Sequence, residues 1–530
     1  MAKNGKKRRL LVVDTDQVHW LSNVTGLGEL ENQESLDDCL AELKQSATAP
    51  PTSKPLAAQS NHAGGSHALE VDLPEISSII FSHATIDLDQ IETWNRSFLS
   101  WTRGGLYVPG LLPCLEEELA RNFKVQELSS FVLKTGEDLR MPIFERWIID
   151  SKLEERDDHD ARQNDPVLPH KASLDSEASQ RLVGEICQGN VTRDNAEKAV
   201  AELCRKCNLS AQEISAQSHL FGSQAPLKKG DRVALEDRGT ALSIIFSRKK
   251  WKKPFVFKLN KEHYHKLRDR MLNVHNQAAT KIEIPNCDKA DKSTHAFHIL
   301  ILSLLLRYSA LSGGQLLQDL RGGGMQGAIH DRVFDVLSSS ILGEWVEGFA
   351  SPFNSYLPRF ASAFPNLEWH FGSVGNFMDC SFVQGCFELN PPFSPGFMTG
   401  MVDRILADLQ KANMHDKSLT FAVVVPTANR SSSQPAVVKQ AASESFSRMV
   451  SCCHCRLHSI LPAREHGYME GSQHLRPTKY KESNYDTSVI LLQSKKASQH
   501  HVDLERLETE LKIAFASRHA DELVKRRKVN

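Results

Sequence analysis

The sequence lacks several features that would assign it at once to a class of protein. No apolar run approaches the roughly 20 residues that a membrane-spanning helix needs, so we expect no membrane anchor. The start, MAKNGKKRRLLVVD, is charged but has no long apolar segment, which does not fit a secretory signal. The formal net charge of the 530 residues is −1, so the bulk charge predicts no polyanionic partner.

The cysteine pattern of a secreted protein and a phosphate-binding loop are also missing. The 11 cysteines are scattered and odd in number, which is typical of reduced thiols in a cytosolic or nuclear protein. Cys452 to His458 has the residue types of a zinc site, but no second cluster completes it, so we predict no metal. The glycine-rich segment Ser312 to Gly327 lacks the Gly-Lys-Ser/Thr ending of a P-loop and is interpreted as a tight connection.

Changes in composition divide the chain into four parts. Residues 1–70 are poor in aromatics and are predicted to be a disordered basic tail. Residues 71–293 contain periodic apolar segments, which predict a mainly helical domain, and the basic run within it (residues 247–255) predicts that this domain binds RNA. Residues 294–497 alternate apolar strands with helices, which predicts an α/β fold with a parallel sheet. Residues 498–530 are predicted to form a charged helix with a basic tail.

The stretch CFELNPPFSPGFM places two prolines directly after an apolar strand. Asn390, Pro391, Pro392 and Phe393 are predicted to form the turn at its carboxyl end, where α/β proteins bind ligands. The Asn oxygen and the first proline carbonyl can accept the two N–H bonds of a purine amine and aim its lone pair at a methyl group. The prolines stiffen the turn, and the Phe ring can stack on an extruded base. This chemistry requires a methyl donor, and we predict S-adenosylmethionine. A turn that merely ends the strand is the alternative.

A methyl donor needs a second strand end. Trp345 to Asn354 is predicted to supply it as a strand, a tight turn with small residues, and a helix that carries Tyr356. The segment HFGSVGNFMDC adds Asp379, a carboxylate that can accept hydrogen bonds from ribose hydroxyls or the adenine amine of the donor. An ordinary strand-turn-helix unit and a solvated or capping Asp are the alternatives.

Cationic residues are concentrated in short runs. Ser247 to Phe255 places five cations around one tryptophan, which predicts phosphate contacts and base stacking, with a solvated hairpin turn as the alternative. The predicted RNA-contacting residues of this run are Lys249, Lys250, Trp251 and Lys252. Runs at Lys6 to Arg9 and Lys525 to Val529 are compatible with nuclear import, so we expect a nuclear location, with the cytoplasm as an alternative.

Several segments occur in the same order as in a known family. The segments between about residues 262 and 493 are LLLRYSAL, GGGMQGAIH, EGFASPFNSY, FGSVGNFMD, FELNPPF, FAVVVP, LPAREHGYMEGSQH and NYDTSVILLQ. Together they resemble the phosphorylated-CTD-interacting-factor family, the cap-specific adenosine-N6 methyltransferases. The resemblance implies a Rossmann-like methyltransferase core preceded by a mainly helical domain. It also implies methyl transfer from S-adenosylmethionine to N6 of the adenosine beside the mRNA 5′ cap, with capped RNA as partner.

The resemblance carries over site residues as well. Asn390 to Phe393 are implied to be the catalytic turn. Glu465 and His466 are implied to lie on a loop that faces the substrate, with Gln473 and His474 supporting it. With the strand-end argument, the predicted donor-binding residues are Glu347, Phe349, Ala350, Ser351, Asn354, Gly372, Ser373 and Asp379.

The chain departs from the family pattern on the substrate side. Ser394 stands where the family has an acidic residue, Thr427 to Asn429 replace a Glu-Trp-Arg segment, and Arg464 replaces an apolar aromatic residue. Trp20 and Trp94 are too far apart to form the WW domain that binds the phosphorylated polymerase tail, so that partner is not predicted. Two alternatives therefore stay open: a related amine methyltransferase acting on uncapped RNA, DNA or a protein amide, and a non-catalytic RNA-binding scaffold.

Overall fold

The computed structural model describes the chain in twelve segments. These are residues 85–86, 115–135, 141–155, 165–188, 191–222, 230–239, 241–252, 254–278, 288–313, 327–427, 445–470 and 480–529. The predicted tail 1–70, the run Lys6 to Arg9, and the predicted substrate residues Gln473 and His474 lie outside them. Among the described helices, none combines the length and the apolar character of a membrane span.

Helices dominate the first part of the described chain, as its periodic apolar pattern predicts. After the two-residue strand β1 (Thr85–Ile86) come α1 (Leu115–Thr135), α2 (Met141–Glu154), α3 (Glu177–Cys187) and α4 (Arg193–Gly222). The Ser176 hydroxyl accepts a hydrogen bond from the Ser179 backbone N–H at 3.2 Å and so caps α3.

A small antiparallel sheet and two long helices follow. The strands are β2 (Arg232–Asp237), β3 (Ala241–Ser247) and β4 (Phe255–Asn260), and the helices are α5 (Lys261–Ala278) and α6 (Asp288–Leu311). β3 and β4 pair in antiparallel register and enclose the basic run between them. After α6, Gly313 has a φ of 68°, a left-handed conformation that glycine adopts without strain.

The second part of the chain alternates strands with helices. Its elements are β5 (Gly327–Ala328), α7 (Asp331–Ser340), β6 (Trp345–Ala350), β7 (Phe360–Ser362), α8 (Pro365–Glu368), β8 (Ser381–Phe382), β9 (Gly385–Leu389), α9 (Pro395–Met414), β10 (Leu419–Pro426), β11 (Cys455–Leu461), β12 (Gly467–Glu470), β13 (Tyr480–Glu482), β14 (Thr487–Gln493) and α10 (Leu504–Val529). The helix predicted to carry Tyr356 is wrong, because residues 351–359 form an irregular loop. Pro352 and Pro358 leave too few residues between them for a helix.

Six strands form one mixed sheet in the spatial order β11, β14, β10, β9, β6, β7. β7, β6, β9 and β10 run parallel, whereas β14 is antiparallel to both of its neighbours. The α/β class is therefore confirmed, but the sheet is not purely parallel. β14 follows the antiparallel β12–β13 pair and not a crossover helix, so it can enter the sheet in the opposite direction.

Apolar side chains pack against both faces of this sheet. On one face, Phe387 and Phe421 contact the same apolar cluster as Met401 and Ile405 of α9. On the other face, α7 and α10 pack against the sheet. All eight residues of β10 are buried, which explains why its sequence is continuously apolar and not alternating.

A buried ionic network joins the first helices to α6. Arg121 of α1 is fully buried and donates to Asp165 at 2.8 Å, to Glu118 at 2.6 Å and to Glu117. Arg307 of α6 donates to the same Glu118 carboxylate through Nε at 2.8 Å. Burial opposes ionisation of Glu118, but Arg121 and Arg307 outweigh it and lower its pKa. The network therefore holds its charges ionised inside the protein.

A second buried carboxyl, Glu145 on α2, makes folding stability depend on pH. It is 1% exposed, and neither carboxyl oxygen has a hydrogen-bond partner in the described structure. Burial raises its pKa from 4.5 to about 8, although Arg146 opposes the shift. Because the folded pKa lies above the unfolded one, the stability contribution is full below pH 4.5 and falls as pH rises toward 8.

Glu145→Gln should remove this loss of folding stability with rising pH. We expect its free energy of unfolding at neutral pH to exceed that of the native protein by roughly 2 kcal/mol, measured by urea denaturation across this pH range. Glu127→Gln, an exposed change on α1, should leave the pH dependence as it is. Parallel pH curves for Glu145→Gln and the native protein would contradict the assignment.

Candidate active site

The sheet reverses its strand order between β6 and β9. The chain leaves β6 toward β7 on one side and leaves β9 toward β10 on the other. Open α/β sheets bind ligands in the crevice beyond the carboxyl ends of the strands at such a switch point. Glu347 of β6 pairs in register with Glu388 of β9, so the ends of these two strands lie side by side. The predicted donor turn after Ala350 and the predicted catalytic turn at Asn390 therefore meet at one edge.

Asn390 is held in one orientation at that edge. Its side chain is 8% exposed, and its Nδ2 donates to the carbonyl oxygen of Gly327 at 3.0 Å. Because the amide is planar, this bond turns Oδ1 away from Gly327, where it can accept a hydrogen bond from a ligand. Gly327 ends the glycine-rich segment that was interpreted only as a tight connection. The structure gives this residue a direct contact with the predicted catalytic turn.

Asp150 on α2 holds the other end of the turn. Its carboxylate accepts from the Ser394 hydroxyl, from the Phe397 N–H at 3.0 Å and from the Gly396 N–H at 3.3 Å. Arg181 of α3 donates to the same carboxylate at 2.7 Å. Burial raises the pKa of Asp150, while these four donors favour its charged form. Asp150 thus caps α9 from a distant part of the chain, and nothing in its own sequence neighbourhood signals this.

Asp150→Ala should weaken both the fold and the turn. Loss of the cap leaves two backbone N–H groups and Arg181 without their acceptor, and we expect a cost of about 1–3 kcal/mol in urea denaturation. Turnover of the folded variant should fall roughly tenfold, because the turn loses one of its anchors. Asp194→Ala, an exposed change on α4, should alter neither quantity. Lower stability with unchanged turnover would restrict Asp150 to a structural role.

Aromatic rings surround the turn. Phe393 meets Tyr485 edge-on with ring centroids 5.9 Å apart, and Tyr485 lies 6.4 Å from Tyr468. Phe349, at the end of β6, packs against Phe397 at 5.3 Å and so links the donor strand to the first turn of α9. Tyr485 was missed as a site residue, although it lies in the NYDTSVILLQ segment quoted for the resemblance.

The loop after β6 is fixed from within and from α5. The Asn354 side chain accepts from the Ser351 N–H at 2.6 Å and from the Ser351 hydroxyl at 3.0 Å, so Asn354 shapes the turn. Lys266 donates to the Phe353 carbonyl at 2.8 Å, and Arg270 donates to the Leu357 carbonyl at 2.7 Å. Burial lowers the pKa of Arg270 to about 10, with Glu347 opposing the shift.

A chain of buried hydrogen bonds joins the two predicted donor segments. Ser351 is bonded to the hydroxyl of Tyr308, which donates to Glu368 at 2.6 Å. Glu368 is also bonded to Ser362, whose hydroxyl lies 2.6 Å from that of Ser373. Burial raises the pKa of Glu368 to about 7 against the effect of these bonds. The sequence did not predict a role for Tyr308, Ser362 or Glu368 at the site. These hydrogen bonds form only when distant segments of the polypeptide have folded together.

The second donor segment, HFGSVGNFMDC, approaches the loop after β6 closely. Gly372 has a φ of 103°, and a Cβ there would lie 2.4 Å from the Pro358 carbonyl oxygen, so a side chain cannot fit. Asp379 is half-buried in the turn before β8, where its N–H donates to the Asn376 carbonyl at 3.0 Å. Its predicted contact with the donor stays a prediction.

The predicted substrate loop has one exposed and one buried member. Glu465 is exposed, beside Arg464 with a φ of 66°. His466 is 1% exposed; its Nδ1 lies 2.8 Å from the Pro462 carbonyl and its Nε2 lies 2.7 Å from the Thr487 hydroxyl. The ring of His466 therefore supports the loop from beneath in this structure, and its contact with a substrate stays a prediction.

The basic run combines a packed tryptophan with exposed lysines. Arg248 is buried, is paired with Asp231 and Glu116, and lies 4.9 Å from the Trp251 ring. Trp251 is half-buried and packs edge-on against Phe246, so part of its surface is already used. The exposed cations of the run among the described residues are Lys249, Lys250 and Lys252.

The cysteine cluster does not form a metal site in the described structure. Cys455 begins β11, and Cys452 and Cys453 lie in the turn before it, with His454 bonded to the Gln493 carbonyl at 3.2 Å. No group of three or more His, Cys, Asp or Glu residues with metal-binding geometry occurs among the described residues. The cluster thus has an ordinary structural position at the edge of the sheet.

Known proteins match the part of the chain that contains both turns. A family model described as the phosphorylated CTD interacting factor 1 WW domain matches residues 282–471. Proteins of Homo sapiens and Mus musculus, each named mRNA (2'-O-methyladenosine-N(6)-)-methyltransferase, are 34% identical over 208 residues. Each match covers 38% of this chain and 27% of the relative, so the chain spans about a quarter of the length of these relatives. Residues 282–471, which run from α6 to β12 and include both turns of the switch point, are therefore similar to the phosphorylated CTD interacting factor 1 family.

Proposed function

We propose that this protein is an S-adenosylmethionine-dependent adenosine-N6 methyltransferase that acts on RNA, with the adenosine beside the mRNA cap as its target. The single observation that carries the proposal is the orientation of the Asn390 amide, which its hydrogen bond to Gly327 fixes at the switch point of the sheet. The human and mouse relatives carry the name of a methyltransferase for N6 of 2'-O-methyladenosine in mRNA, which supports the same chemistry and the same class of substrate.

The strand order supports a Rossmann-like methyltransferase core. Parallel strands diverge from β6 and β9, as in dinucleotide-binding folds, and helices or loops cover both faces. Such a core would comprise residues 294–497, from within α6 to just beyond β14, and residues 71–293 would form the mainly helical RNA-binding part. One apolar cluster extends from Leu115 of α1 to Phe371 beyond β7, so the packing itself does not separate the two parts, and we propose the boundary from the strand order.

The residues at the switch point fit an adenosyl methyl donor. Small side chains stand at Ala350, which ends β6, and at Ser351 after it, and the β7 register partner of Ala350, Ser362, is bonded to Ser373 beyond β7. A carboxyl oxygen of Glu388 is buried there without a hydrogen-bond partner in the described structure, which suits a cationic ligand. When bound, the donor supplies a methyl group on a positively charged sulfur.

The chain's own residues then position the base amine. Asn390 Oδ1 and the Pro391 carbonyl each accept one N–H bond of the amine, which directs the nitrogen lone pair and stabilises the charge that develops on it. Phe393 offers a face for the base, and its edge-on contact with Tyr485 keeps that face in place. No side chain of shifted pKa is required as a base, because the amine becomes acidic once it carries the methyl group.

The test uses two short RNAs that differ only in a 5′ 7-methylguanosine cap before adenosine. Purified full-length protein and labelled S-adenosylmethionine are incubated with each, and the RNA is digested to nucleosides. We expect N6-methyladenosine, or its 2'-O-methyl form, only from the capped RNA. Equal labelling of both RNAs would move the target to uncapped adenosine. Donor binding without labelling would favour the scaffold or another acceptor.

The exposed lysines of the basic run give a separate prediction about RNA binding. Reversing the charge of Lys249, Lys250 and Lys252 together should weaken RNA binding and reduce the slope of log affinity against log salt by about 2, because each phosphate contact releases a counterion. Lys417, Lys495 and Lys512, which are exposed elsewhere, provide a matched triple reversal. An unchanged slope after reversal of the basic run would make that run a solvated turn.

A nuclear location remains part of the proposal. The run Lys525 to Val529 lies at the end of α10, and Lys6 to Arg9 lies outside the described residues.

A further inference from the structure

Two carboxyl groups lie side by side beneath the proposed donor site. Glu347 of β6 and Glu388 of β9 are register partners on adjacent parallel strands, and they are 2% and 3% exposed. Neighbouring parallel strands are separated by about 4.8 Å, so partners on one face are in contact range. Glu388 precedes Asn390 by two residues, which puts both side chains on the same face, roughly 7 Å apart along the strand.

The two carboxyls differ in their partners. Glu347 Oε1 accepts from the Leu357 N–H at 2.6 Å, and the cations Arg270 and Lys266 of α5 act on it. Glu388 Oε1 has no hydrogen-bond partner in the described structure, although it is buried. The groups that face Glu388 electrostatically are Glu347 and the hydroxyl of Tyr468 on β12, and neither is a cation. A buried carboxyl oxygen without a partner is costly, and a cationic ligand beside it would offset that cost.

We propose that Glu388, with Glu347, forms a counter-charge site for a positively charged group of the methyl donor, either its sulfonium or its α-ammonium group. The inference rests on the proposed function and adds a residue that recognises positive charge on the donor. Neither residue takes part in orienting the base amine. Glu388 is not among the predicted donor-binding residues, because a lone acidic residue within an apolar strand gives no sequence signal.

The free protein should hold a proton on this pair. Burial raises the pKa of Glu347 to about 7, and burial together with Glu347 raises that of Glu388 well above its ordinary value. Two adjacent carboxyls do not both ionise readily near neutral pH. An arriving cation lowers both pKa values, so a proton leaves to solvent on binding, and donor affinity rises with pH through about 7.

The experiment is calorimetric titration of full-length protein with three ligands. S-Adenosylmethionine has both cationic groups, S-adenosylhomocysteine has only the α-ammonium group, and 5′-methylthioadenosine has neither. Each titration is repeated in phosphate and in Tris, because the difference in observed enthalpy gives the number of protons released. The variants are Glu388→Gln and, as a matched control, Glu344→Gln, an exposed carboxyl at the amino end of β6.

Native protein and Glu344→Gln should release a proton when they bind S-adenosylmethionine, and Glu388→Gln should not. If the sulfonium is the partner, Glu388→Gln weakens S-adenosylmethionine by at least about tenfold and leaves the other two ligands unchanged. If the α-ammonium group is the partner, S-adenosylmethionine and S-adenosylhomocysteine weaken together and 5′-methylthioadenosine does not. Unchanged affinities and unchanged proton release in Glu388→Gln would overturn the inference alone. Failure of the native protein to bind any of the three would overturn the proposed function with it.

Discussion

Asn390→Ala is expected to lower methyl transfer at least about 100-fold while donor affinity stays nearly unchanged. The variant removes one preorganised acceptor for the base amine, and removal of a single such group in other enzymes has effects of this size. The donor should still bind, because the loop after β6 is held by hydrogen bonds of Ser351 to Asn354 and Tyr308, whereas the Asn390 amide is bonded to Gly327. Single-turnover transfer and calorimetric donor binding measure the two quantities separately.

Asn390→Asp is the informative companion to that variant. It keeps an oxygen acceptor but replaces the N–H that donates to Gly327 with a second oxygen, which the Gly327 carbonyl repels. We expect nearly the same loss of turnover, because the orientation of the acceptor fails even though the acceptor is present. Donor binding that disappears together with turnover in both variants would mean that Asn390 maintains the fold of the strand end.

Arg121→Met should produce the largest loss of stability among single substitutions considered for this chain. Arg121 is fully buried and serves three carboxylates, so its removal leaves Asp165 as an uncompensated buried charge and leaves Glu118 with Arg307 as its remaining cation. Breaking a buried ion pair from one side costs about 3–5 kcal/mol, a large part of the 5–15 kcal/mol by which a typical domain is stable. Urea denaturation followed by circular dichroism measures the change.

The pH dependence of this loss distinguishes charge from packing. In the native protein burial opposes ionisation of Asp165, but Arg121 and backbone N–H donors outweigh it and lower the pKa of Asp165. Burial opposes ionisation of Glu118 as well, and Arg121 and Arg307 outweigh it and lower the pKa of Glu118. Their contribution is therefore present above the unfolded values of 4.5 and 3.8 and is lost as pH falls through the lowered folded values. In Arg121→Met the carboxyls become costly to ionise, so its deficit should shrink toward acid pH.

A deficit that is independent of pH would instead indicate a packing defect at Arg121. Arg205→Ala on α4 supplies the control, since Arg205 is exposed, pairs with the half-buried Glu202 at the surface, and should change stability little when removed.

Local patterns predicted most elements of the fold but not their arrangement. The apolar runs at β6, β9, β10 and β14 are strands, and the periodic segments from α1 to α4 are helices, because each pattern reports its own burial. The direction of β14 could not be predicted, since an apolar strand has the same sequence pattern in either direction. The helix predicted after β6 failed because two prolines restrict the backbone more strongly than the intervening residues favour a helix.

At the candidate site, too, the local elements could be predicted from the sequence but their distant partners could not. The two turns at Ser351 and Asn390 were predicted to meet, because strand ends in an α/β sheet share an edge, and the structure brings them together. The groups that hold the turns were not predicted. Asp150 lies 244 residues from Ser394, and Tyr308 reaches Glu368 across 60 residues, so only the folded chain makes these pairs visible.

The position of β14 also determines how late in synthesis the six-stranded sheet can be completed. β14 is the last strand of the sheet to leave the ribosome, yet it lies between β10 and β11 and provides the sole sheet partner of β11 among the described strands. Until residue Gln493 has emerged, β10 presents an open edge that can pair with another nascent chain. A recombinant fragment cut to residues 282–471 would keep that open edge permanently, so any such fragment must extend through β14.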